Sequence, residues 1–120
     1  MSLPLSTEWL PIPGGITSPD GFLAAGISSG LKGSGKKDLA LLFCPEGTVC
    51  AGTFTKSAIR AACVDLCKNR LQKKNGMVRS VVINSGHANA CTGDRGLIDS
   101  VLVTKKLAHR LRLQEEEVLI

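Results

Sequence analysis

Apolar positions follow two rhythms along this chain. Val81, Val82 and Ile83 form a β-branched run that suits a buried strand. A run of small and polar residues follows: Asn84, Ser85, Gly86, His87, Ala88, Asn89, Ala90, Cys91, Thr92 and Gly93. Beyond it Leu97, Ile98, Val101, Leu102, Ala108 and Leu111 recur at helical spacing, which predicts a long helix over residues 94–113. Strand, polar loop and helix in this order place the loop at the strand's carboxyl end. There the free N–H groups of the helix start face it, and α/β proteins put binding sites in that position. The same order also serves as a plain connection with no ligand.

The other elements follow from the same rules. Pro4, Pro11 and Pro13 make residues 1–13 an extended arm, with Trp9 and Leu10 tucking against the body. Pro19-Asp20-Gly21 is a turn, because Pro presets φ and Gly accepts positive φ. Residues 22–27 and 39–44 are short apolar strands, and Pro45-Glu46-Gly47 turns the chain. Residues 49–55 are then expected to return as the partner strand of a hairpin. Residues 64–74 have a helical pattern, with Val64, Cys67 and Leu71 on one face and Lys68, Arg70, Lys73 and Lys74 outward. Asn75-Gly76 closes that helix. A strand over residues 78–84 precedes the polar loop. After the long helix, Glu115, Glu116 and Glu117 read as a solvated acidic patch, and Val118, Leu119 and Ile120 begin a new strand. Ending on three aliphatic residues, the sequence is expected to be cut short, since an unpaired strand end is a liability.

One stretch tempts a phosphate-loop reading. Gly30 and Gly35 have the right separation and Lys36 follows, but Lys37 stands where Ser or Thr would hold magnesium. The next residues, from Leu39 to Cys44, form a strand instead of a helix. A flexible connection between two strands is the better reading, with a small anion- or nucleotide-binding module over residues 30–37 as its rival.

Length and composition narrow the classes. A chain of 120 residues makes one domain or part of one, and can bury a real core. With 43% apolar and 21% charged residues it is globular in character. Aromatics are 3%, too few for a stacking platform for single-stranded nucleic acid. The formal charge of +5 is spread over separate pairs, Lys36-Lys37, Lys73-Lys74 and Lys105-Lys106, so no basic tract marks a nucleic-acid partner. Cys44, Cys50, Cys63, Cys67 and Cys91 are odd in number and mostly in apolar surroundings, as free buried thiols in a reducing cytosol would be. No second Cys or His pair completes the Cys63–Cys67 spacing, so no metal site is expected. Neither a membrane span nor an export signal is evident.

Three stretches together resemble the N-terminal part of the ornithine acetyltransferase family, the bifunctional glutamate N-acetyltransferases of arginine biosynthesis. They are GGITSPDGFLAAGI from Gly14, KDLALL from Lys37 with AGTFT from Ala51, and, most specific, NSGHANACTG from Asn84. The resemblance spans residues 14–120. His87 stands where the family often has Asn or Gln, and Cys63 where Pro is common. The resemblance implies an α/β fold of layered sheets covered by helices. It implies a precursor that cuts itself before a threonine into α and β chains, assembled as an α2β2 heterotetramer in the cytoplasm. The freed threonine takes the acetyl group of N-acetylornithine and passes it to glutamate. No cofactor is implied, and acetyl-CoA, where used, enters as a substrate.

The catalytic parts of that family have no counterpart here. Its cleavage site is an Ala-Thr bond, and no threonine in this sequence follows an alanine. Its oxyanion donors lie in a Ser-Thr-Gly stretch after the strand that begins here at Val118. Thr92 in Cys91-Thr92-Gly93 belongs to the earlier loop and does not inherit that role. Cys91 has no His/Asp arrangement to activate it and reads as a packing residue. The expected organisation is therefore an arm over residues 1–13 and the N-terminal part of an acetyltransferase α chain over residues 14–120, inactive alone. Asn84, Gly86, Asn89 and Thr92 are the candidate walls of a substrate pocket, against the plainer role of holding an irregular turn rigid. Rival readings are a non-catalytic fragment whose exposed last strand pairs with another chain, and a related self-processing amidohydrolase.

Overall fold

A computed structural model describes residues 9–120. In chain order it contains β1 (Leu23–Ile27), β2 (Leu39–Phe43), α1 (Ala62–Lys73), β3 (Ser80–Asn84), α2 (Gly93–Leu111), a 3-10 turn (Glu115–Glu117) and β4 (Val118–Leu119). The strands make one sheet in the order β1-β2-β3-β4. β1, β2 and β3 are antiparallel neighbours, with Ala25 opposite Leu41 and Leu41 opposite Val82. β4 runs parallel to β3, with Ser80 opposite Val118. A parallel pair needs a crossover, and α2 supplies it.

This register corrects two expectations. Residues 49–55 do not form a hairpin strand with β2. Both edges of β2 are already taken by β1 and β3, so only Val49 bridges to Met77, and the Cys50 N–H donates to the Gly76 carbonyl at 2.7 Å. Nor does the last strand stand exposed for another chain. Val118 and Leu119 are buried and pair with β3, although the far edge of β4 has no strand beside it among the described residues. The expected arm falls partly outside the description, which begins at residue 9. Trp9 and Leu10 do not tuck against the body; they are 97% and 80% exposed.

α1 buries the face its apolar residues suggest and adds Arg70 to it, whereas α2 buries mainly small residues beside its apolar ones. In α1, Cys67 is buried as expected, but Arg70 is buried too, three residues on and therefore on the same face. Its guanidinium donates to the Val118 carbonyl at 2.6 Å, and burial pulls its pKa below the usual arginine value. In α2 the buried residues are Gly96, Ser100, Thr104 and Ala108, one every fourth position. Leu97, Ile98 and Leu102, which carry the helical pattern in the sequence, are exposed together with Val103. The small face can enter the interior because its hydroxyls are already satisfied. Ser100 donates to the Gly96 carbonyl at 2.8 Å, and Thr104 to the carbonyls of Ser100 and Val101, each at 3.0 Å. α2 thereby packs along α1 and against β4.

The predicted helix ends hold. Asn75 and Gly76 both have positive φ, and the Gly76 N–H donates to the Leu71 carbonyl at 2.9 Å, closing α1. The three glutamates are half-buried in the 3-10 turn, not a free acidic patch. The Glu117 carboxylate accepts the Gln114 N–H at 2.8 Å, and Glu115 pairs with Lys105 at 3.6 Å. The core gathers Cys67, Val78 and Leu119, flanked by Phe54, Leu71, Val81 and Ile120. Of the five cysteines, all free, only Cys44 and Cys67 are buried, fewer than expected, and Cys91 is exposed.

Removing the Arg70 guanidinium would leave the buried Val118 carbonyl without its partner. Arg70→Ala should cost about 2 kcal/mol, the usual penalty for losing a charge-assisted hydrogen bond to a buried acceptor. Urea unfolding of the parent and variant chains would measure this, and equal midpoints would mean that sheet pairing with β3 and packing hold β4 without the guanidinium.

Candidate functional site

The polar loop between β3 and α2 is built from its own side chains. The Asn84 amide donates to the His87 carbonyl at 3.1 Å, closing a tight turn around Gly86, whose φ is +96°. The Thr92 hydroxyl donates to the Asn89 carbonyl at 2.9 Å. Asn89 reaches across to α2, its amide donating to the Gly96 carbonyl at 3.2 Å and to the Ser100 hydroxyl at 3.3 Å. Gly96 makes this possible. A Cβ there would run into the Thr92 hydroxyl and lie 3.4 Å from Asn89 Cγ. Ala90 also bridges to Ala61, which joins the loop to the residues just before α1.

A cavity of about 340 Å³ opens beside this loop. Asn84, His87 and Asn89 line it, with Cys63, Ile83 and Ile120. Two of the four candidate residues therefore share one cavity. Gly86 and Thr92 are not among its walls; Thr92 instead lines a separate hollow with Arg60 and Asp65, an ion pair at 2.8 Å. Ile120 reaches the cavity because its end of β4 is tied to α1. The Cys67 thiol donates to the Ile120 carbonyl at 3.1 Å, and burial raises the Cys67 pKa, keeping the thiol protonated. The polar groups brought together here are amides, an imidazole and the Cys63 thiol, and among the described residues no hydrogen bond joins that thiol to His87. Among the described residues no three His, Cys, Asp or Glu side chains gather as metal ligands, and no helix is long and apolar enough to cross a membrane.

The glycine-rich connection between β1 and β2 lies at the same end of the sheet and is pinned, contrary to the flexible link expected from its composition. Asp38, only 3% exposed, accepts the Ser29 N–H at 2.6 Å and the Ser29 hydroxyl at 2.8 Å on Oδ1. Its Oδ2 accepts the Lys32 N–H at 2.9 Å. Hydrogen bonds from Ser29 and Lys32 hold its carboxyl pKa at about 2, below the ordinary aspartate range. This carboxylate takes backbone donors that a phosphate would need, which argues against the anion-loop rival. The Asp38 carbonyl also accepts the Ser85 N–H at 2.8 Å, so one residue joins both loops. Sequence reasoning missed Asp38; its signal was an acid placed between a glycine-rich stretch and an apolar strand.

This arrangement, a four-stranded sheet with helices and a hydrogen-bonded polar loop beside a cavity at one end, has known counterparts. The family model described as the ArgJ family matches residues 23–120, and the chain belongs to that family. It is 67% identical over all 120 residues to the arginine biosynthesis bifunctional protein ArgJ of Prochlorococcus marinus strain NATL2A, and covers 29% of that protein. A solved structure of the Mycobacterium tuberculosis ornithine acetyltransferase, complexed with ornithine, matches with a TM-score of 0.82 and 39% identity, over 88% of this chain and 56% of that one. The Bacillus halodurans ArgJ structure matches with a TM-score of 0.83 and 33% identity, over 88% and 55%. The chain thus spans under a third of the length of the curated relatives it matches, and the likeness places its fold among ornithine acetyltransferases.

Two outcomes test this geometry. Asp38 has a depressed folded pKa, so it contributes stability above the unfolded value and loses it as pH falls toward about 2. Asp38→Asn should lower the urea midpoint at neutral pH, with a gap to the parent that is constant down to about pH 5 and closes near about pH 2. A gap independent of pH would assign the loss to shape instead of charge. Gly96→Ala should cost about 1–3 kcal/mol through overpacking. The Asn89 side-chain amide resonances should shift with it; unmoved resonances would mean the helix backs away from the loop at little cost.

Proposed function

We propose that this chain is the N-terminal portion of an acyltransferase that moves an acetyl group from N-acetylornithine to glutamate in arginine biosynthesis. The observation that carries the reading is the 67% identity to a bifunctional ArgJ protein along the entire 120 residues. The ornithine bound in the Mycobacterium tuberculosis relative supports the substrate class. The self-cleaved precursor, the β-chain partner, the α2β2 assembly, the cytoplasmic setting and the use of acetyl-CoA as an alternative donor belong to the same proposal.

Acetyl transfer of this kind takes two steps. A hydroxyl attacks the acetyl carbonyl of the donor, an ester forms, and ornithine leaves as an amine that takes up a proton. The glutamate amine then attacks the ester, releases the hydroxyl and gives up a proton. Both steps pass through an oxyanion that needs donors aimed at it. In this proposal the attacking hydroxyl and the oxyanion donors lie outside residues 1–120. The role of this chain is to form one wall of the pocket, with Asn84 and Asn89 as fixed amides beside the end of β4. Asn89, anchored to Gly96 and Ser100, sets the position of that wall relative to α2.

The 120-residue chain alone should give no turnover of N-acetylornithine with glutamate. A chimera with residues 1–120 replacing the matching segment of the Prochlorococcus marinus relative should transfer the acetyl group. Turnover by the isolated chain would refute the division of labour. Release of acetate from N-acetylornithine by the chimera, without N-acetylglutamate, would favour an amidohydrolase instead.

A further inference from the structure

We propose that a trough over β1 and β2 docks one amphipathic helix from the part of an ArgJ-family chain that residues 1–120 do not cover. The trough is centred on a cavity of about 220 Å³. Ala25, Ile27, Leu39, Leu41 and Val82 line it on the sheet, and Leu107 lines it on α2. Ala25 stands opposite Leu41 and Leu41 opposite Val82, which makes one row across three strands. Ile27 stands opposite Leu39 two residues along, so this second row shares the same face. Leu23, two residues before Ala25, extends the face, and Leu23 and Ile27 are both more than half exposed. No polar side chain lines the cavity, so nothing there can orient a small polar ligand. Its chemistry is that of a packing surface.

The helices of this chain leave the trough open. α1 and α2 pack on each other and on β4, and Leu107 is the one helix residue among the cavity walls. A sheet in an α/β protein buries its apolar face under another layer. Strands about 4.8 Å apart make β1 and β2 a strip ~10 Å wide, the width of one helix. An added strand would instead seek backbone bonds along the edge of β1 and leave the side chains of this face uncovered. A second copy of this chain fits poorly, because a two-fold axis would set trough against trough, concave on concave. The longer relatives have the polypeptide to supply a helix: the present residues cover 29% of one Prochlorococcus marinus protein and 28% of another. The inference rests on family membership and this partial coverage, and not on the acetyl-transfer reading.

Residues 1–120 and the remaining segment of the Prochlorococcus marinus NATL2A relative, co-expressed as two polypeptides, should purify as a complex. Ala25→Glu and Ile27→Glu alter exposed positions and should each weaken it about tenfold or more, because a charge would be buried unpaired. Ile98→Glu, on the side of α2 half a circle from Leu107, should leave it unchanged. A photoreactive residue at position 25 should cross-link to partner positions three and four apart, the mark of one helix face. Full affinity in folded Ala25→Glu and Ile27→Glu chains would overturn the proposal. So would cross-links at alternate partner residues, cross-links between two copies of this chain, or no complex at all. None of these readouts depends on acetyl transfer, so a complex that forms as described without that activity would count against the functional reading alone.

Discussion

Close approach of α2 to the rest of the molecule is the constraint on which the other features depend. It requires a helix face of Gly96, Ser100, Thr104 and Ala108, whose hydroxyls bond back to the helix's own carbonyls and so enter the interior without unpaired donors. A leucine face would hold α2 farther out. With α2 close, the crossover from β3 can return the chain as a parallel β4, and Val118 and Leu119 become buried. Arg70 then meets the Val118 carbonyl, and Cys67 meets that of Ile120, which fastens the strand to α1.

The same face also builds the candidate site. Gly96 and Ser100 are packing residues on one side and the anchors of Asn89 on the other. The position of the polar loop is thus coupled to helix packing through Asn89, which also lines the cavity. At the opposite side of the loop a second anchor works by charge. Asp38 organises the glycine-rich connection through backbone donors and grips Ser85 through its own carbonyl. Two connections of low intrinsic order are therefore made into one surface, across which Lys32 lies on Gly86.

Much of the fold was legible in the sequence. Four of the five expected strands, both helices, the Asn75-Gly76 helix stop and the loop at the end of β3 follow from periodicity and turn chemistry, and each appears within a few residues of its expected place. The family, too, was legible from three short stretches. Side-chain direction was not. Helical spacing of Leu97, Ile98 and Leu102 marks an apolar face, but burial went to the small residues beside it, because close packing in this place rewards low volume over hydrophobicity. Arg70 was counted outward on charge alone, yet its position three residues from Cys67 puts it on the buried face, where a strand carbonyl receives it.

The amino-acid sequence by itself determined both helices, the turns and four of the strands, since those depend on neighbours within a few residues and on backbone preferences at Gly, Pro and Asn. It also determined the residue types of the polar loop. Tertiary structure alone decided what pairs with what: that β2 is enclosed by β1 and β3 and leaves residues 49–55 no edge, that β4 returns beside β3, and that Asn84 and Asn89 share a cavity while Thr92 lines another hollow. These outcomes depend on contacts between residues tens of positions apart. Local pattern carries no record of such contacts, because it describes what a segment prefers and not which partner reaches it.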